Sequence, residues 1–388
     1  MLERRRDRDL VPSYSLTGDL LSFLRCGLQY RYQSGSALPP SRPVQMWFGE
    51  FIHGVMETAY RLWLGGAPSF PWPCTPTQFN LPAPAGRLEH DIGTIGELVE
   101  ASLAAAGTNP RSRDLRDSAY ARANRAVNEV GPVLFPLIVS AEEKVIGTRQ
   151  LSGAPGAPRR SQVYELHGVM DVLSSVTVSA AAGNPICDAV RAVVPTFPPK
   201  ADIIVDYKGS RRPARSHAYW QQGDWQLQTY AWLRSQQAAA VPVVAGVLLY
   251  INELDPGTSD IAELQREVSR GDTDVIPDSG SQDSYLLSTW KRGAAVPAFS
   301  AAFRLRRMLR VVPVSQPTMA AATSQFDQVV LNIESCVSRE AQQGAIISQW
   351  PMVGDEPTCG ACDFRHFCPE PASYRSQQGY VPPAPKAP

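Results

Sequence analysis

The segment Ala201-Asp-Ile-Ile-Val-Asp206-Tyr207-Lys208 predicts a buried strand, because an apolar run of strand length ends there in a carboxylate and an amine. Side chains alternate between the two faces of a strand, so Asp206 and Lys208 point to one side and Tyr207 to the other. A charged pair at the mouth of a buried strand needs a partner, and a divalent metal ion is a suitable one. For an isolated D-x-K, a salt bridge that merely closes the strand is the alternative.

The composition limits the class of protein. The chain has 388 residues, enough for two average domains or one large domain with insertions, and 44% of them are hydrophobic. The formal net charge is zero, so an anionic partner must be met by local basic patches. No run of 18 apolar residues is present and the N-terminus is charged, so we expect a cytoplasmic protein without a membrane segment.

The order of helical and strand patterns predicts a mixed α/β (α+β) fold, with a small mixed sheet flanked by helices. The pattern predicts helices over 14–26, 47–64, most of 92–138, 224–237 and 318–343, and strands over 143–149, 164–173, 203–207 and 243–251. We expect a charged N-terminal segment (1–12), one domain (13–370) with insertions at about 65–138, 177–200 and 253–300, and a disordered Pro-rich tail (371–388). The last insertion reads as a polar surface excursion.

Four short motifs follow one another along the predicted core. They are Gly49-x-x-x-His53 on a helix, Gly168-Val-Met-Asp171 and Asp206-Tyr207-Lys208 at two strand ends, and Gln226-x-x-x-Tyr230 on one face of a helix. In this order they resemble the PD-(D/E)XK nuclease superfamily, and within it the RecB-like branch that includes the CRISPR-associated exonucleases. The D-x-K with its upstream G-x-x-D is moderately specific, and the two helical motifs make the resemblance much stronger.

The resemblance implies a restriction-endonuclease-like core and a metal-dependent deoxyribonuclease. Its expected substrates are DNA ends or single strands, in recombination, repair or phage defence, with a helicase or another subunit as a further partner. The catalytic residues that it implies are Asp171, Asp206, Lys208, Gln226 and Tyr230. The ligands implied for Mg²⁺ or Mn²⁺ are His53, Asp171, Asp206 and the backbone carbonyl of Tyr207.

Elementary chemistry agrees with these roles. Carboxylate and carbonyl oxygens suit Mg²⁺ or Mn²⁺ at about 2.1 Å, and an imidazole nitrogen from His53 favours Mn²⁺. Such an ion neutralises charge that develops on a phosphate and lowers the pKa of a bound water. We expect Lys208 to position or help deprotonate that water and to stabilise the added negative charge. Glu57, one helical turn after His53, is a further candidate for the same site.

Three cysteines crowd into Cys359-x2-Cys362-x5-Cys368, which argues for metal ligation in a cytoplasmic chain. Thiolates suit both zinc and iron–sulfur clusters, so the spacing does not choose between them. The resemblance to the RecB-like branch implies a 4Fe–4S cluster with Cys26 as the fourth ligand. Zinc is the alternative, and His366 could then replace one thiolate.

Basic and aromatic residues near the motifs are candidates for contacting DNA. Arginines concentrate at 111–125 and 211–215, and Tyr219, Trp220 and Trp225 could stack on bases, although helix faces and core packing explain such residues equally well. Two other functions stay open, namely a catalytically silent RecB-like DNA-binding subunit and a zinc-stabilised interaction protein. The long separation of Asp171 from Asp206 requires residues 177–200 to bulge out of the sheet, and the chain has no nucleotide-binding G-x-x-x-x-G-K-[ST].

Overall fold

The computed structural model describes residues 11–34, 44–75, 86–151, 159–177, 183–194, 196, 198–353, 358–359, 362–365 and 368–369. The predictions for the first ten residues, for His366 and for the tail after 370 lie outside these ranges. The backbone divides into two compact units. Unit 1 takes its residues from 1–43, 146–168 and 323–388, and unit 2 takes its residues from 44–145 and 169–322. The predicted single domain over 13–370 stays a prediction.

Six strands and twelve α-helices lie within the described residues. The strands are β1 (Ser13–Ser15), β2 (Ile138–Gln150), β3 (Val163–Thr177), β4 (Lys200–Lys208), β5 (Val243–Tyr250) and β6 (Leu309–Pro313). The helices are α1 (Ser22–Arg25), α2 (Gly27–Ser34), α3 (Val44–Leu64), α4 (Ile92–Ala105), α5 (Arg113–Arg125), α6 (Gly131–Leu134), α7 (Pro185–Val193), α8 (Ala218–Ser235), α9 (Thr258–Arg270), α10 (Gln282–Thr289), α11 (Ala301–Met308) and α12 (Gln316–Gln343). The predicted mixed α/β fold is confirmed.

The sheet of unit 2 is mixed, and β4 lies in its interior. β4 pairs antiparallel with β3 and parallel with β5, and β5 pairs antiparallel with β6. Residues Ala201 to Tyr207 are all buried, as expected for a strand that has a neighbour on each edge and is covered on both faces. The short strand β6 follows the helices of the 253–308 region and was not predicted from the sequence.

Helices cover this sheet and supply much of its core. Trp47, Phe51, Ile52 and Val55 of α3 are fully buried in one cluster with apolar residues of β4 and β5. The predicted insertion between β3 and β4 holds α7, and the apolar face of α7 joins the same core. The helix predicted over 224–237 begins earlier, at Ala218, because the side chain of His217 accepts a hydrogen bond from the Tyr219 amide and caps its N-terminus.

The prediction that 253–300 is a polar surface excursion is wrong. The region contains α9, α10 and the approach to α11, and these helices enclose a second apolar cluster of Ile261, Leu264, Leu287, Trp290, Phe299 and Phe303. The buried Arg307 donates to both carboxylate oxygens of Glu253 and to the Thr273 hydroxyl. Many polar residues of this region therefore form hydrogen bonds or ion pairs with one another inside the protein. Composition alone does not reveal such pairs.

Unit 1 begins with β1, which runs parallel to the first part of β3 and pairs Ser13 with Glu165. The helix predicted over 14–26 is instead β1 followed by a π-helical stretch (Leu16–Leu21) and then α1. The buried Arg31 of α2 donates two hydrogen bonds to Glu340 of α12. Among the described residues, no helix is long and apolar enough to cross a membrane.

Candidate functional site

Two carboxylates meet where β3 and β4 lie side by side in unit 2. The antiparallel register pairs Val172 with Val205, so Asp171 and Asp206 occupy neighbouring positions one residue beyond that pair. Asp171 Oδ2 accepts a hydrogen bond of 2.7 Å from the Tyr207 backbone amide. Both side chains are largely buried, with relative exposures of 9% for Asp171 and 3% for Asp206. Two buried acids this close require positive charge nearby.

Lys208 supplies part of that charge, and Gln226 of α8 fixes its position. Lys208 Nζ lies 2.6 Å from Asp206 Oδ2 and donates a 2.7 Å hydrogen bond to Gln226 Oε1. Gln226 Nε2 donates in turn to Asp206 Oδ1 at 2.9 Å. The amide of Gln226 thus bridges the acid and the base of the D-x-K motif. Tyr230, one helical turn later, is buried and interacts with the Gln226 side chain.

His53 reaches the same strand end from α3. Its Nε2 lies 3.0 Å from the Tyr207 carbonyl oxygen, and its Nδ1 lies 3.4 Å from Asp171 Oδ2. A close approach of two glycines permits this arrangement, since a Cβ on Gly209 would lie only 3.1 Å from the Gly49 Cα. Gly209, just after β4, therefore permits the close approach of the helix, whereas a Cβ on Gly49 would meet nothing within 4 Å.

The charges of the site perturb one another strongly. Burial acts to lower the pKa of His53, but the charge and hydrogen bond of Asp171, together with the charge of Asp206, raise it to about 9. Burial raises the pKa of Asp206, and Lys208 opposes this effect. Burial also acts to lower the pKa of Lys208, yet Asp206 raises it overall, so the ammonium stays charged. A strand end with such coupled groups is typical of a functional site.

Glu142 on β2 was not predicted and lies in the same place. Its carboxylate, the His53 ring and the Asp171 carboxylate each offer a ligand atom, and these three atoms lie within 4.8 Å of one another. Burial and the charge of Asp171 raise the pKa of Glu142 to about 7. Glu57, the additional candidate, forms an ion pair with Arg61 instead.

No sequence motif includes Glu142, which precedes a second glutamate in a segment predicted to be an exposed strand. The only sequence signal was its position on the strand that precedes Asp171. The structure therefore brings together His53, Asp171, Asp206, Tyr207, Lys208, Gln226 and Tyr230, as expected, and adds Glu142.

The four candidate cysteines line one open pocket in unit 1. Its lining includes Cys26, Cys359, Cys362 and Cys368, and Tyr32 and Phe364 beside them. The pKa of the Cys362 thiol is raised to about 11 by burial and, in smaller part, by the charges of Cys26 and Cys359. The four thiols therefore lie around one space, although they are distant in sequence.

Backbone packing holds the cysteine-bearing segments together. The Leu28 amide donates to the Pro351 carbonyl at 3.0 Å, and a Cβ on Gly27 would lie 2.6 Å from the Pro351 ring. The rings of Tyr32 and Phe364 pack with their centroids 5.5 Å apart. Gly27 thus permits the segment after Cys26 to approach the segment before Cys359.

Most of the arginines expected to contact DNA are engaged within the protein. Arg116 is buried against Glu100, and Arg212 donates to Asp274 and to the carbonyls of Arg307 and Leu309. Other members of the two clusters also form ion pairs, namely Arg113, Arg122, Arg125 and Arg211. Arg111 and Arg215 stay exposed. The buried Arg116 and Arg212 are therefore committed within the protein, and DNA contact by the exposed arginines of the two clusters stays a prediction.

The aromatic candidates also differ in availability. The guanidinium of Arg310 lies 3.5 Å from the centroid of the Trp220 ring and therefore covers one face of that ring. Tyr219 is 46% exposed and packs against His217, with ring centroids 4.7 Å apart. Of the two, Tyr219 is better placed to stack on a base.

No curated protein is a significant match to the chain. The mixed sheet flanked by helices is consistent with the restriction-endonuclease-like fold of the PD-(D/E)XK nucleases. A match to that superfamily indicates a nuclease, that is, a hydrolase. Residues 199–369, from the residue before β4 through the three C-terminal cysteines, match the family model of the PD-(D/E)XK nuclease superfamily.

Proposed function

We propose that this protein is a metal-dependent deoxyribonuclease of the RecB-like branch. The observation that supports this most strongly is the network at the end of β4, where Lys208 pairs with Asp206 through Gln226 beside Asp171 and His53. A purely structural salt bridge would need only the first two residues. The additional acid, imidazole and amide make the site suitable for phosphodiester hydrolysis.

The donors fit a hard divalent cation. Asp171, Asp206, the Tyr207 carbonyl oxygen and His53 would hold Mg²⁺ or Mn²⁺, and the 3.0 Å separation of His53 Nε2 from that carbonyl is typical of two adjacent ligands about 2.1 Å from one ion. Bound there, the cation would supply charge neutralisation for the scissile phosphate and an acidified water. Because the His53 imidazole has to be neutral to bind an ion, its proton must leave first.

The residues of the chain then perform the other tasks. Lys208 stays charged beside Asp206, so it stabilises negative charge on the phosphate and orients the attacking water rather than removing its proton. Gln226 holds the Lys208 ammonium toward the site, and Tyr230 interacts with the Gln226 side chain. The burial of Asp206 and Lys208 limits competing contacts with solvent, which strengthens these interactions.

We further propose DNA ends or single strands as the substrate, in recombination, repair or phage defence. Tyr219 at the start of α8 offers an exposed ring for stacking, and Arg215 lies exposed just before it. A helicase or another protein subunit is a suitable source of single strands for such an enzyme.

The pocket of four thiols in unit 1 fits a metal centre, and we propose a 4Fe–4S cluster held by Cys26, Cys359, Cys362 and Cys368. The sulfur-only donor set around one space supports this assignment. Zinc is the other occupant that such thiolates bind. Anaerobic purification followed by iron, sulfide and zinc analysis distinguishes the two.

Removal of the divalent cation is expected to abolish cleavage. End-labelled single- and double-stranded DNA, with free or blocked ends, would be incubated with the purified protein and Mn²⁺. EDTA should stop product formation and excess Mn²⁺ should restore it, because the water and the phosphate both depend on the ion. The blocked ends report whether the cut begins at an end.

Asp171→Asn serves as the catalytic control in this assay and should lose at least about 100-fold in rate. Wild-type protein that is folded and binds DNA, yet leaves every substrate intact with Mn²⁺ or Mg²⁺, would contradict the proposal and favour a silent DNA-binding subunit. Equal rates for wild type and Asp171→Asn would assign the cleavage to a contaminant.

A further inference from the structure

Glu142 has an unusual backbone for its place in a strand. It lies within β2, but its φ is +52°, in the left-handed region that residues with a side chain rarely adopt. The alternation of exposed and sheltered side chains along β2 breaks just before it, since Ser140 and Ala141 are both partly sheltered. A local irregularity of this kind redirects a side chain out of the regular alternation.

The Glu142 carboxylate is exposed and lies beside both His53 and Asp171. Within the described part of the chain it accepts no hydrogen bond and forms no ion pair, and Arg61, a second nearby cation, pairs with Glu57. A ligand atom of Asp171 lies within 4.8 Å of a Glu142 carboxylate oxygen. Two adjacent carboxylates repel each other, and a bound cation removes this repulsion when one of them has no ion-pair partner.

The donor atoms of this group suit one ion. Ligands about 2.1–2.3 Å from a single cation lie about 3–4.5 Å from one another, and the atoms of His53, Glu142 and Asp171 lie within 4.8 Å of each other. Asp206 differs, because its Oδ1 accepts from Gln226, while its buried Oδ2 lies 2.6 Å from Lys208 Nζ without a hydrogen bond of good geometry. Glu142 is the exposed carboxylate of the site and is open to an ion that arrives from solvent.

We propose that Glu142 is a further carboxylate ligand of the catalytic cation, together with His53 and Asp171. This inference rests on the proposed function and goes beyond the four motifs, because it takes a ligand from the strand that none of them covers. A nitrogen and two carboxylates bind Mn²⁺ well. Glu142 would then add to the affinity that the ligands of the four motifs provide.

The test is Mn²⁺ binding to the full-length protein without DNA, measured by calorimetry and by the electron paramagnetic resonance signal of free Mn²⁺. Glu142→Gln keeps the shape of the side chain and removes the charge. We expect its Mn²⁺ dissociation constant to rise at least about tenfold. Its melting temperature without metal should stay close to that of wild type, because Glu142 is exposed and both a repulsion with Asp171 and an attraction to His53 are removed.

Two matched variants separate coordination from general charge. Glu143→Gln removes the neighbouring charge on the same strand, and Glu57→Gln removes a charge that Glu142 also senses. Both should bind Mn²⁺ within about threefold of wild type, since neither belongs to the three-residue group.

The Mn²⁺ affinities of the wild type and the three variants decide whether Glu142 is a ligand. Unchanged Mn²⁺ affinity in Glu142→Gln, with wild type binding normally, would overturn the role of Glu142 and leave the proposed function standing. An equal loss in Glu57→Gln or Glu143→Gln would also overturn it, because the effect would then be long-range charge. A wild-type protein that binds no Mn²⁺ would contradict both the inference and the proposed function.

Discussion

Replacement of Lys208 by glutamine is expected to slow DNA cleavage by about 10³-fold while Mn²⁺ still binds. The Lys208 ammonium lies 2.6 Å from Asp206 within the site. Glutamine can still donate a hydrogen bond to Asp206 and so limits the cost of leaving a buried acid unpaired. The loss should therefore appear in the rate of a single turnover on end-labelled DNA and not in DNA affinity.

Lys200→Gln is the matched control, since Lys200 begins the same strand and is exposed. It should cleave at the wild-type rate and melt at the same temperature. Lys208→Gln protein with a normal melting curve and more than about a tenth of the wild-type rate would show that the D-x-K lysine is structural. Our interpretation of the network with Gln226 would then be wrong.

Replacement of Cys26 by serine is expected to have the largest effect on stability. A centre that ties Cys26 to Cys359 closes a loop of over 300 residues, and the chain-entropy argument gives an upper bound of about 5–6 kcal/mol. We expect the melting temperature to fall by more than about 5 °C. The broad absorption near roughly 400 nm that marks an iron–sulfur cluster should disappear at the same time.

The variant Cys74→Ser tests whether this effect is specific, because Cys74 lies in unit 2, outside the pocket of four thiols. It should keep both colour and stability. A Cys26→Ser protein with wild-type colour and melting temperature would exclude Cys26 as a ligand. A colourless wild-type protein that contains zinc would replace the iron–sulfur proposal by the zinc alternative.

The sequence predicted the central strand and the order of its motifs well, because the signals there are local. An apolar run that ends in Asp206 and Lys208 has few structural alternatives, and the period of α8 places Gln226 and Tyr230 on one face. The structure joins Lys208, Gln226 and Asp206 through two hydrogen bonds.

The sequence did not reveal contacts between residues that are distant in the chain. Arg212 looks like a DNA-binding residue until Asp274 and the carbonyls of Arg307 and Leu309 surround it. Glu142 looks like an ordinary exposed residue until its backbone turns it toward Asp171. Neither fact follows from periodicity or composition, because both depend on which segments the sheet brings together.

The most direct test of the account is a crystal structure of the protein soaked in Mn²⁺, with the anomalous signal used to locate the ion. We predict one strong peak within about 2.5 Å of ligand atoms from His53, Asp171, Asp206 and the Tyr207 carbonyl. Lys208 should lie beside it without touching it. A well-ordered site that stays without a peak at saturating Mn²⁺, or a peak only elsewhere on the molecule, would contradict the account.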